Sequence, residues 1–124
     1  MIWLAIGAGG ALGAMARHAL NMTVQSRYSE FPIGIFVINA VGCLAIGLLA
    51  GAVGSGRAVI SETGRLFLVV GVLGGFTTFS AFSLDTLMLA RGGQTSLALA
   101  NAIGQVVIGV AAVWIGFNAG SWRP

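Results

Sequence analysis

The run Gly74-Gly75-Phe76-Thr77-Thr78-Phe79-Ser80-Ala81-Phe82-Ser83 places two glycines, four hydroxyls and three phenylalanines inside an otherwise apolar stretch. Consecutive glycines cost a helix backbone entropy, and neighbouring threonine hydroxyls compete for its backbone groups. A break between Gly74 and Ser80 is therefore expected, in preference to a continuous helix whose threonines bond back to their own carbonyls. Broken helices at membrane depth survive only where protein or water satisfies the freed groups, and they commonly bind ions. Phe79 and Phe82, three apart, share a helix face with Thr78 and Ser83 adjoining. Phenylalanine ring edges carry partial positive charge. A lane of such edges and hydroxyl donors suits an anion.

Few other polar groups stand far from charge. Asn39 lies seven residues past Pro32, mid-stretch, with an amide that donates twice. Asn101 and Gln105 are four apart and share one face. Asp85 is the only carboxylate in the central region, and an arginine such as Arg17 is a candidate partner. No Cys/His metal set, nucleophile–base pair or phosphate loop is present, so enzyme chemistry has no residues to rest on.

Positioning these groups falls to helices of membrane length. Of 124 residues, 57% are hydrophobic and 7% charged, which excludes an ordinary soluble domain. Uncharged stretches predict one all-α domain over 1–124 with four transmembrane helices near 2–24, 32–54, 66–90 and 96–118. The first extends past Arg17 and His18 by snorkelling. Arg65 and Arg91 bracket the third; a helix between them covers roughly 38 Å, enough for a hydrocarbon core of about 30 Å. Thr78 is the midpoint, so the hydroxyl cluster lies near the bilayer centre, where polar groups are expensive and usually functional. Ala14-Met15-Ala16 resembles a signal cleavage site, but the basic segment that should precede it is missing. Ser29 or Glu30 is a candidate cap for the second helix, and Ser61 or Thr63 for the third. Gly54-Ser55-Gly56 and Gly92-Gly93 mark helix ends. Cys43 falls inside the second span and reads as a buried, inert thiol.

The net charge of +3 comes from six arginines that flank the spans. They form no basic face of the kind nucleic acid requires. With four spans, Arg57, Arg65 and Arg123 fall on one membrane side and Arg17, Arg27 and Arg91 on the other. Such a balance gives the positive-inside rule nothing to act on. Insertion in both orientations and a single orientation set by other means both fit it. Four glycine pairs at a spacing of four (Gly9/Gly13, Gly47/Gly51, Gly71/Gly75, Gly116/Gly120) predict close helix packing.

The chain resembles the small bacterial fluoride channels of the CrcB or Fluc family. The residues that carry this are the run from Gly74 to Ser83, Val37-Ile38-Asn39-Ala40-Val41-Gly42, and Gly9-Gly10-Ala11-Leu12-Gly13-Ala14 leading to Arg17. The resemblance implies a fluoride-selective channel in the bacterial inner membrane, built as an antiparallel, dual-topology homodimer with a central structural sodium ion. It implies that backbone carbonyls of Gly74 and Thr77 hold the sodium. Phe79 and Phe82 become the pore phenylalanines and Asn39 a pore-lining donor, with Thr78, Ser80 and Ser83 as polar neighbours. Arg17 matches the first-helix arginine. Two departures stand out: Asp85 occupies a position that is often Glu, and Leu97, Asn101 and Gln105 occupy the pore face of the fourth helix where some members place tyrosine or serine. Asn101 and Gln105 are taken as pore-lining.

The expected function is passive export of fluoride. A proton-coupled drug exporter of four spans is the first alternative. That class needs an essential membrane carboxylate, and the first helix has none. A structural subunit packing through its glycine faces is the second.

Overall fold

The computed structural model describes residues 1–25 and 30–122. Arg27 and Arg123 of the arginine balance, and the cap candidate Ser29, lie outside the described residues. Among the described residues the secondary structure is all helical: α1 (Ile2–Gln25), α2 (Ile33–Gly54), α3 (Glu62–Arg65), a π-helical stretch Leu66–Leu73, α4 (Gly74–Phe76), α5 (Phe79–Arg91) and α6 (Thr95–Ser121).

Local chemistry sets most boundaries. Ser61 caps α3: its Oγ accepts from the Gly64 N–H at 3.1 Å, satisfying one donor that a helix start leaves open. The start of α2 is held from the end of α1 instead of by the expected Glu30. Gln25 Oε1 accepts from the Gly34 N–H at 3.1 Å, and its Nε2 donates to the Phe31 carbonyl at 3.1 Å. Past the ends of α2 and α5, Gly56 and Gly93 take φ of 74° and 79°, a left-handed geometry that glycine adopts without steric cost.

The four glycine pairs meet two by two. A Cβ on Gly47 or Gly51 would fall on the carbonyl oxygen of Val113 or Phe117, and one on Gly116 or Gly120 on that of Leu44 or Leu48. This joins α2 to α6, the most extensive helix contact. Gly9 and Gly13 press likewise on the Phe67 and Val72 carbonyls, and a Cβ on Gly75 would stand 2.6 Å from the Gly10 carbonyl oxygen. That joins α1 to the first half of the third span. Backbone thus packs on backbone, as in membranes, where burying apolar side chains offers little drive between helices. Ile38, Leu89 and Ala98 are the buried hydrophobic residues among those described.

Three helical segments are long and apolar enough to cross a membrane: Ile33–Gly54, Glu62–Arg91 and Thr95–Ser121. Four were expected. The shortfall is α1, whose 24 residues have sufficient length but carry Arg17, His18, Asn21 and Gln25 in their second half. Within Glu62–Arg91 the backbone leaves the helix at Thr77 (φ −81°, ψ 162°) and Thr78 (φ −156°, ψ 120°). The Thr78 hydroxyl then caps α5, accepting from the Ala81 N–H at 3.3 Å. The π-helical winding ends at Leu73, with the three residues of α4 between it and Thr77, and such winding is frequent at functional sites.

Candidate functional site at the Thr77–Thr78 interruption

Two extended residues inside a span leave backbone groups that lipid cannot solvate. In an uninterrupted α-helix the Thr78 N–H would bond the Gly74 carbonyl. Here it donates instead to Asn39 Oδ1 at 2.9 Å, and Asn39 Nδ2 returns to the Thr78 carbonyl at 3.0 Å. The Thr77 carbonyl receives Arg17 Nη1 from α1 at 3.4 Å. The Thr77 N–H and hydroxyl both return to the Leu73 carbonyl, each at 3.0 Å. Side chains of α1 and α2 therefore take over bonds that the third span gives up, and the Gly74 carbonyl loses its usual donor.

A chain of amides continues from Asn39 into the bundle. Asn39 Nδ2 donates to Gln105 Oε1 at 2.7 Å, and Gln105 Nε2 donates to Asn101 Oδ1 at 3.1 Å. Asn101 Nδ2 donates to Thr86 Oγ1 at 2.8 Å, and the Thr86 hydroxyl donates to the Phe82 carbonyl at 2.8 Å. Buried polar groups are tolerable when satisfied in this way. Asn101, on the same helix face as Gln105, is fully buried, at 0% exposure. Asn39 uses both of its N–H groups within the protein, one on Thr78 and one on Gln105.

An open cleft of about 390 Å³ adjoins the interruption, lined by Asn39, Gly74, Thr77, Thr78, Phe79, Phe82 and Gln105 among others. Phe79 and Phe82 stand with ring centroids 5.4 Å apart and planes tilted by 56°. Phe79 is 78% exposed, so its ring contributes little to packing within the chain. Ser80 and Ser83 are exposed beside it; Ser80 Oγ lies 3.3 Å from Thr78 Oγ1, and Ser83 Oγ donates to the Phe79 carbonyl at 2.9 Å. Cys43 is half-buried, not fully buried as expected, and lines the same cleft. Asp85 lines a different cavity of about 410 Å³ with Asn21, Gln25, Glu30 and Gln94. Thr86 was not singled out from sequence, because a threonine one turn after a serine–phenylalanine run carries no signal of its distant partner Asn101.

A polar interruption within an apolar helical bundle, in a chain with three helices long and apolar enough to cross a membrane, defines a multi-pass membrane protein. The family model described as CrcB-like protein, Camphor Resistance (CrcB), matches residues 4–117. The chain belongs to that family, whose members are multi-pass proteins of the bacterial inner membrane. It is similar to a protein of Opitutus terrae named fluoride-specific ion channel FluC, with 47% identity over 95% of this chain and 91% of the relative. It is also similar to fluoride-specific ion channel FluC 2 of Nitrobacter hamburgensis, with 45% identity over 94% of each chain. A third relative, fluoride-specific ion channel FluC of Methylobacillus flagellatus, shares 45% identity over 89% of this chain and 87% of its own.

Proposed function

We infer that this protein is a fluoride-selective channel that lets the anion leave the cytoplasm down its gradient. The observation that carries this is end-to-end similarity to proteins named fluoride-specific ion channels, in a chain whose interrupted span opens onto a cleft of ring edges and hydroxyls. Entering fluoride gives up a strongly held hydration shell, so a path must supply substitute donors without binding too tightly for release. Phe79 and Phe82 offer ring edges, while Thr78, Ser80 and Ser83 offer hydroxyls. Gln105 offers an amide at the same cleft.

The working assembly is an antiparallel dimer with α1 as its fourth span. Its 24 residues cover about 36 Å, and the Arg17 bond to Thr77 supports an inward-facing polar half. A two-fold axis through the interruption brings together two copies of the Gly74–Thr77 backbone, of which Gly74 is exposed. The carbonyl oxygens of Gly74 and Thr77 are hard ligands of the kind sodium takes. Loss of the Thr78 donor to Asn39 supports Gly74 in that role. The 3.4 Å separation from Arg17 is longer than a strong N–H···O bond, which leaves the Thr77 oxygen free to take a second partner. Sodium there would neutralise the clustered carbonyls and hold the halves in register.

The test is growth of a fluoride-sensitive strain that lacks its own exporter. Expression of this chain restores growth on fluoride, and Phe79→Ile does not. Absence of protection by a well-expressed, membrane-inserted wild type contradicts the reading.

A further inference from the structure

The glycine contacts record how each helix is wound. A Cβ on Gly47 would meet the Val113 carbonyl oxygen and the Phe117 nitrogen, and one on Gly116 the Leu44 oxygen and the Leu48 nitrogen. In each case the two atoms belong to residues four apart, the pair that an α-helix joins by a hydrogen bond. Gly13 meets the third span in the same way, at the Val72 oxygen and the Phe76 nitrogen. One turn earlier on α1 the pattern changes. A Cβ on Gly9 would meet the Phe67 oxygen and the Val72 nitrogen, from residues five apart, the pair that a π-helix joins. The third span therefore spends five residues on a turn against which α1 spends four. Nothing within Leu66–Leu73 dictates this locally, since the stretch holds no proline and no hydroxyl.

We propose that the third span carries one spare residue between Phe67 and Val72, wound in as π-helix against the glycine face of α1, and that this winding sets the interruption opposite Arg17 and Asn39. The proposal concerns the frame of the site and does not rest on the channel reading above. Wound as α-helix from Phe67, the span would bring the Gly71 carbonyl to Gly13 in place of that of Val72. Every later residue would arrive one position late, turned by about 100°. The Thr77 carbonyl would leave Arg17, and the Thr78 peptide would leave Asn39, giving up bonds of 3.4, 2.9 and 3.0 Å. Those bonds and the Gly9 contact anchor the two ends, so the spare residue is taken up as a wider turn between them.

Removing a spare residue should leave both anchors in place. Deletion of Val70 or of Leu68 puts Phe67 and Val72 at the α-helical spacing. Deletion of Ile108 in α6 is the control: Ile108 is 45% exposed against 48% for Val70. It stands between Gln105, bonded to Asn39, and Val113, whose carbonyl meets Gly47, so its loss must break one of the two contacts. The experiment compares size-exclusion elution of the full-length proteins in detergent, then fluoride release from liposomes. At least one of the Val70 and Leu68 deletions should elute as wild type and release fluoride as wild type does. The Ile108 deletion should lose the assembled peak. Loss of assembly in both the Val70 and Leu68 deletions overturns the proposal, as does an assembled Ile108 deletion. Deletions that assemble but release no fluoride where wild type does also overturn it, because the interruption would then have moved off its anchors. Should correctly inserted wild type release no fluoride, the channel reading falls and the elution profiles alone decide the winding.

Discussion

Asn39 grips the Thr78 peptide from both sides, accepting its N–H at 2.9 Å and donating to its carbonyl at 3.0 Å. One side chain on α2 thereby replaces the helix bonds that the third span lacks at its centre. Asn39→Leu should leave the Thr78 N–H unpartnered, at a cost of about 1–3 kcal/mol, and should abolish flux. Asn39→Asp keeps the acceptor and loses the donor, so it should be milder in thermal stability yet still impaired in flux. Equal stability of Asn39→Leu and wild type would show that the clamp is dispensable.

Phe79 and Phe82 should be separable from assembly. Phe79→Ile and Phe82→Ile remove the ring edges and keep apolar bulk, so each should cut fluoride flux while size-exclusion profiles stay unchanged. Two variants that conduct like wild type would place the ion path elsewhere.

The glycine pairs were legible because a spacing of four puts both members on one helix face. The position of the break was legible too, since Gly74-Gly75 and Thr77-Thr78 each disfavour helix. The chain from Asn39 through Gln105 and Asn101 to Thr86 was not, because its members lie 66, 4 and 15 residues apart. Helix-face arithmetic also cannot give depth: Asn101 and Gln105 share a face, yet only Gln105 reaches the cleft. The π-helical stretch escaped notice because Leu66–Leu73 is uniformly apolar and carries no periodicity to shift.

Glycine substitutions should divide by what a Cβ meets. At Gly47 it would fall on the Val113 carbonyl oxygen, whereas at Gly54 there is open space. Gly47→Ala should destabilise the protein by about 1–3 kcal/mol, and Gly54→Ala by no more than about 0.5 kcal/mol. Thermal unfolding in detergent measures both. Equal melting temperatures would mean that α2 and α6 do not pack backbone to backbone.

Dual topology makes a separate prediction. Two arginines added at the C-terminus should bias insertion to one orientation and suppress function until an oppositely biased copy is co-expressed. Full activity from a uniformly oriented population would contradict the antiparallel dimer.

Sodium should behave as a structural ion. Replacing it with a large organic cation should reduce activity, while fluoride flux stays independent of any sodium gradient. Gly74→Val should disrupt assembly or flux, and Thr77→Ser should be mild because it preserves backbone and hydroxyl. Fluoride movement in fixed ratio to sodium would make the cation a transported substrate instead.

The most direct measurement is ion release from liposomes holding the purified protein, loaded with either fluoride or chloride, with no proton gradient and no nucleotide. A potassium ionophore balances the charge. A fluoride channel releases fluoride rapidly and retains chloride. Chloride release at the rate of fluoride, or fluoride release only when protons move in exchange, would contradict the account.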